Sequence, residues 1–124
     1  VRKNMVEADF VKDGKAFLIA QHMAEVRGDK FPVGAFIEQH LQPFKNNEIQ
    51  LQKGDAFYIF SDGYADQFGG QNGKKFKYKR FQELLISIQD KSMDEQKDIL
   101  DKTIEKWKGD LDQLDDILVI GIRL

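Results

Sequence analysis

The chain contains no cysteine. That excludes a disulfide, a thiolate metal site and a catalytic thiol. It fits a reducing compartment, and a cytoplasmic location is the expectation, although exported proteins without cysteine are common. No apolar run approaches the roughly 18 residues of a membrane span, and no signal peptide is visible. An excess of one charge is missing too. With 19 basic and 21 acidic residues the net charge is -2, so no global field draws nucleic acid or acidic lipid. Neither partner is expected for this segment. The two histidines, His22 and His40, share no ligand spacing and read as surface or satisfied side chains rather than metal ligands. No internal repeat, linker or low-complexity stretch interrupts the chain.

What is present is an ordinary globular balance. At 124 residues, 41% hydrophobic and 32% charged, the chain is one domain or part of one, with enough apolar surface for a real core. It starts at Val1 rather than methionine, which reads as a piece cut from something longer. "VEADFVKDGKAFLIA" carries two apolar runs around Asp13-Gly14, a β-hairpin signal. "RGDKFPVGAF" is loop punctuation around Pro32 and Gly34. A second strand pair follows: "NEIQL" alternates, "QKGD" turns, and the almost wholly apolar "AFYIFS" predicts a central strand buried on both faces. Helical spacing then takes over, with Phe81, Leu84, Leu85 and Ile88 marking a helix over 78–89. Ser92 and Glu95 form a capping box for a second helix over 93–107, whose face is Met93, Gln96, Leu100, Ile104 and Trp107 and which Gly109 ends. "ILVIGIRL" is a closing strand. The order predicts an α+β fold with antiparallel sheets and two consecutive helices before the last strand.

Two acidic knots flank that architecture. Asp62 stands at the end of the central strand, and Asp115 and Asp116 stand immediately before the closing one. If the two strands pair antiparallel, all three carboxylates come to one edge of the sheet. Oxygen donors without sulfur and with little imidazole suit Mg²⁺ or Mn²⁺. Such ions acidify a bound water and neutralise a transferring phosphoryl group. Gly63 permits the tight turn and close backbone approach that a site of this kind needs. The plainer alternative is that aspartate beside glycine forms a turn and that Asp115 or Asp116 caps the start of a strand.

"KGDAFYIFSDGYADQFGG" with the later "LDQLDDILVIGI" resembles the PPM-type metal-dependent serine/threonine phosphatases, and more closely their SpoIIE-like bacterial branch. The family has an apolar strand ending in S-D-G-x-x-D, two helices, and D-D or D-N opening the last strand. "DKFPVGAF" and "NNEIQLQKGD" also sit where the family has its P-x-G loop and preceding hairpin. The resemblance covers most of the chain and implies a partial PPM-type α-β-β-α sandwich. It implies that Asp62 and Asp115 are metal ligands, with Asp116 and Asp66 as further ligands or supporting carboxylates beside Gly63. It implies two Mn²⁺ or Mg²⁺ ions in the complete domain. The reaction implied is hydrolysis of phosphoserine or phosphothreonine on a partner protein, an anti-sigma-factor antagonist among the candidates, by a metal-held water. Sensor domains often precede such a domain.

No D-G-x-G motif, which carries the family's bridging aspartate, occurs before Val33; Asp13-Gly14 lacks the second glycine. Residues 1–124 are therefore expected to be the C-terminal portion of the catalytic domain, inactive alone. The alternative is a non-catalytic regulatory or protein-binding module of the same fold. A sandwich cut partway through its sheets predicts exposed strand edges and self-association, most simply as a homodimer. "GKKFKYKR", 73–80, has five basic residues and two aromatics. It reads as a solvated loop leading into a helix, with attraction of a phosphorylated partner as the functional alternative to nucleic acid. Ser61 has no histidine at motif spacing and is not read as a nucleophile.

Overall fold

The computed structural model describes residues 16–20, 23–26 and 48–124. Two compact units divide the chain, Arg2–Leu51 and a second that begins at Gln52 and runs to Leu124. In the first unit, strand β1 (Ala16–Ala20) pairs antiparallel with β2 (Met23–Val26), and the register slips between Leu18 and Ala20. The "AFLIA" strand was expected, but β2 was not, because four residues are too few to display a period. The Asp13-Gly14 turn, its first arm, the Pro32–Gly34 loop and both histidines lie outside the described residues. The expected strand "NEIQL" is not formed over 48–51, where residues 48–50 are exposed. Its alternation of Ile49 and Leu51 has no buried face to serve.

The second unit opens with the anticipated turn. Gln52 donates its N–H to the Asp55 carboxylate at 2.8 Å, and Asp55 N–H returns to the Gln52 carbonyl at 3.0 Å around Gly54. Strand β3 (Ala56–Phe60) follows and pairs antiparallel with β6 (Val119–Arg123), Ala56 opposite Arg123 and Phe60 opposite Val119. This is the antiparallel pairing that the sequence raised only as the condition for the carboxylates to meet; burial on both faces, which the sequence predicts, is not found. Ile59 is 57% exposed, and Leu118, Ile120, Ile122 and Leu124 share that open apolar side. The opposite side carries Tyr58 and Phe60, which meet the helices. An all-apolar run does not reveal which of its faces is covered.

Two helices cover that inner side. Helix α2 (Tyr78–Ser87) buries Phe81 and Leu85, and α3 (Met93–Lys108) buries Gln96, Leu100 and Ile104. Glu95 N–H donates to Ser92 Oγ at 3.2 Å, and the Ser92 hydroxyl donates to the Glu95 carboxylate, so the cap closes locally. Gly109, at φ 55°, ends α3 as expected. The Tyr58 hydroxyl donates to Gln96 Oε1 and accepts from Gln89 Nε2, both at 2.6 Å. These bonds satisfy a glutamine that is only 1% exposed and tie β3 to the helical layer.

Between β3 and α2 lie three short elements. Residues 63–66 form a single helical turn, α1 (Gly63–Asp66), where a turn was expected. A hairpin of β4 (Phe68–Gly69) and β5 (Lys74–Lys75) replaces the loop expected at the start of 73–80. Tertiary packing forms them. Tyr64 of α1 packs on Phe81 with ring centroids 4.8 Å apart, meets Phe76 at 5.4 Å, and donates its hydroxyl to the Leu100 carbonyl at 2.7 Å. Phe76 in turn meets Trp107, half-buried rather than central, whose indole N–H donates to the Gln67 carbonyl at 2.9 Å.

Burial raises the pKa of both Tyr58 and Tyr64, with Asp101 adding to the effect at Tyr64. A raised tyrosine pKa contributes stability that is complete below the unfolded value of 10.0 and is lost as pH rises toward the folded value. The melting temperature is therefore expected to hold to about pH 10 and to fall above it. Tyr64→Phe should flatten that alkaline limb while lowering stability at neutral pH, through loss of the Leu100 bond. Melts taken from pH 8 to pH 11, approximately the tyrosine range, check both signs.

Candidate active site

The β3–β6 register continues past the strands and builds the acidic edge. Ser61 N–H donates to the Leu118 carbonyl at 3.0 Å, the Ser61 hydroxyl donates to the Asp116 carbonyl at 2.8 Å, and Leu118 N–H donates back to Ser61 Oγ at 3.0 Å. Ser61 thus staples the end of one strand to the approach of the other, and its hydroxyl is engaged as donor and acceptor. That is a positioning role.

Gly63 explains how closely the two segments meet. A Cβ placed there would lie 2.1 Å from the Asp116 carbonyl oxygen and 3.2 Å from Ile117 Cα. Its φ is not positive, so close approach and not a tight turn is what demands glycine. Asp62 caps α1 from the N-terminal side without a side-chain bond to the helix. Its carboxylate instead accepts the hydroxyl of Tyr78, the first residue of α2. Asp66 lies 3.6 Å from the Lys75 ammonium. Asp66 and Asp115 line one small hollow of about 80 Å³ with Gly63, Gln67, Lys75 and Leu114. Asp116 is exposed, and its carbonyl rather than its carboxylate is tied into the edge.

The sheet pairing therefore brings the Asp62 and Asp115–Asp116 segments side by side. Among the described residues, however, no three Asp, Glu, His or Cys side chains gather as a metal-holding group. The donors are carboxylate oxygens, the chemistry that Mg²⁺ and Mn²⁺ require. Among the described residues their number is short of a full shell, and Asp62 and Asp66 already hold partners there. Tyr78 and Lys75 were not singled out from the sequence as partners of these carboxylates. Nothing local signals either contact, since each is made only once α1 and the β4–β5 hairpin have folded.

A family model for stage II sporulation protein E, SpoIIE, matches residues 18–124. The chain belongs to the SpoIIE family. A solved structure, the SiaA-PP2C domain of Pseudomonas aeruginosa, superposes with a TM-score of 0.63 at 31% identity. The match covers 67% of this chain and 34% of that one, so the chain spans about a third of the relative's length. No curated protein matches it. SpoIIE membership and the PP2C likeness agree on an α+β, PP2C-like partial fold, with its antiparallel pairing and two helices before β6. Among the described residues no helix is long and apolar enough to cross a membrane.

Proposed function

We propose that the chain is the C-terminal part of a metal-dependent phosphoprotein phosphatase domain that hydrolyses phosphoserine or phosphothreonine on a partner protein. The observation that carries this reading is the stapled β3–β6 edge, which sets Asp62 beside the Asp115–Asp116 segment in a SpoIIE-family chain. Asp62 and Asp115 would hold the metal, with Asp66 and Asp116 as further or supporting carboxylates. Bound Mn²⁺ or Mg²⁺ supplies an acidified water and neutralises charge on the phosphoryl group. The chain's own contribution is positional. Ser61 fixes the register of the edge, Gly63 allows the two backbones to touch, and the Tyr78 hydroxyl orients the Asp62 carboxylate.

The share of the SiaA-PP2C relative that this chain spans supports incompleteness. A two-ion reaction needs both ions to position one water. The 124-residue chain alone is therefore expected to show little or no Mn²⁺-dependent hydrolysis of a phosphoserine peptide, and an extended chain covering the whole family domain is expected to be active. Robust turnover by the short chain would overturn the incomplete-site reading. An inactive extended chain would favour the second reading, a protein-binding module, to which the internal pairing of Asp62 with Tyr78 and Asp66 with Lys75 gives some support.

A further inference from the structure

The phosphatase reading leaves one strongly charged feature unused. Lys74, Lys75, Lys77, Lys79 and Arg80 follow one another with no acidic residue between Asp66 and Glu83, in a chain whose net charge is -2. All five are exposed. Arg80 stacks on the Trp107 ring at 4.5 Å, and Lys75 faces Asp66. Among the described residues Lys74, Lys77 and Lys79 make no ion pair. These three exposed cations belong to a chain that carries a net negative charge.

The strip is held in place rather than loose. Phe76 N–H donates to the Gln67 carbonyl at 2.9 Å and Lys77 N–H to the Ala65 carbonyl at 2.7 Å, which sews its middle to α1 and the start of β4. Lys77 sits at φ 78°, ψ 152°, backbone that only glycine adopts without cost. Lysine at these angles costs stability that glycine would not. One end of the strip is Lys75, at the rim of the hollow shared by Asp66 and Asp115. Beyond its middle, Tyr78 reaches Asp62.

We propose that this strip is a docking surface for an acidic segment of the substrate protein, seated so that the phosphorylated residue reaches the Asp62–Asp115 edge. Only the phosphate part of this statement rests on the phosphatase reading; the acidic flank rests on the strip. The aromatics decide against single-stranded nucleic acid. Binding of that kind uses exposed rings as stacking platforms, whereas Phe76 is 6% exposed and the Tyr78 hydroxyl is turned to Asp62. The strip also presents no apolar side chain of its own for insertion into a bilayer.

Fluorescence anisotropy tests this with labelled peptides: a phosphoserine peptide with Glu/Asp flanks, its unphosphorylated form, and a phosphoserine peptide with Lys flanks. A single-stranded oligonucleotide and phosphatidylserine vesicles are the rival probes. Acidic flanks should bind at least about tenfold tighter than basic ones, and about 0.3 M salt should abolish the difference. The triple variant K74E/K77E/K79E should lose at least about tenfold for the acidic peptide, with or without phosphate. Lys77→Gly should raise the melting temperature while weakening the acidic peptide, a split that a merely structural lysine would not give. Equal binding of the two flanks, an unaffected triple variant, or tighter binding of the oligonucleotide or vesicles would overturn the proposal. Strip-dependent binding that ignores phosphate would uphold the docking surface and overturn only the seating of the phosphorylated residue at the Asp62–Asp115 edge.

Discussion

Replacing Gly63 by alanine is expected to cost about 3 kcal/mol or more, at or beyond the top of the usual range for overpacking. The added Cβ would stand 2.1 Å from the Asp116 carbonyl oxygen and 2.7 Å from its carbon. Both are backbone atoms, so no rotamer change relieves the collision. Either α1 must move away from the approach to β6 or that approach must shift. The second route breaks the Ser61 staple, whose hydroxyl bonds to Asp116 and Leu118 are 2.8 and 3.0 Å. The first displaces Tyr64, which is 2% exposed and packed against Phe81 and Phe76. Urea unfolding of the parent and Gly63→Ala gives the difference directly. A midpoint within about 1 kcal/mol of the parent would mean that the two segments are not in firm contact.

How much of this was legible in the sequence depended on how local each cause was. The Ser92–Glu95 cap and the Gly109 stop are satisfied within a turn or two, and they appear where the residues place them. Both strands of the β3–β6 pair were readable as apolar runs bounded by acidic residues, but their pairing was only a condition, since the sequence set the first of them beside "NEIQL". The covered face of β3 was not readable, since "AFYIF" is apolar at every position and hides its alternation. Four residues of α1 and two each of β4 and β5 are below the length at which a period exists. They fold because Tyr64, Phe76 and Trp107 pack together from three separate parts of the chain. Lys77 is the clearest case of a residue acting against its own preference. Lysine does not announce a positive φ, and the bonds that impose it come from Ala65 and Phe81, on either side of the hairpin and helix start.

The acidic edge followed the same division. Asp62, Asp115 and Asp116 were identifiable as candidates, and the strand register sets their backbones together. What each carboxylate touches was not identifiable. The Asp62–Tyr78 contact spans 16 residues and depends on where α2 begins. The Asp66–Lys75 contact crosses the β4–β5 hairpin, an element without a sequence signal.

In an extended chain covering the whole family domain, Asp62→Ala and Asp115→Ala should each lower Mn²⁺-dependent phosphoserine hydrolysis by at least about 100-fold. Removing an outer partner of a metal ligand costs about 10–100-fold, and a ligand itself should cost more. The fold should survive, because both residues are exposed and the Asp62 carboxylate, among the described residues, holds only the Tyr78 hydroxyl. That separates these variants from Gly63→Ala, which is expected to lose structure and activity together. Tyr78→Phe removes the hydroxyl that donates to the Asp62 carboxylate and is expected to fall between, at about tenfold, with a raised Mn²⁺ requirement. The dependence on Mn²⁺ is the readout that distinguishes ligation from folding. If Asp62→Ala is as active as the parent at every Mn²⁺ concentration, Asp62 is not a ligand, and its contact with Tyr78 is simply a link between α1 and α2.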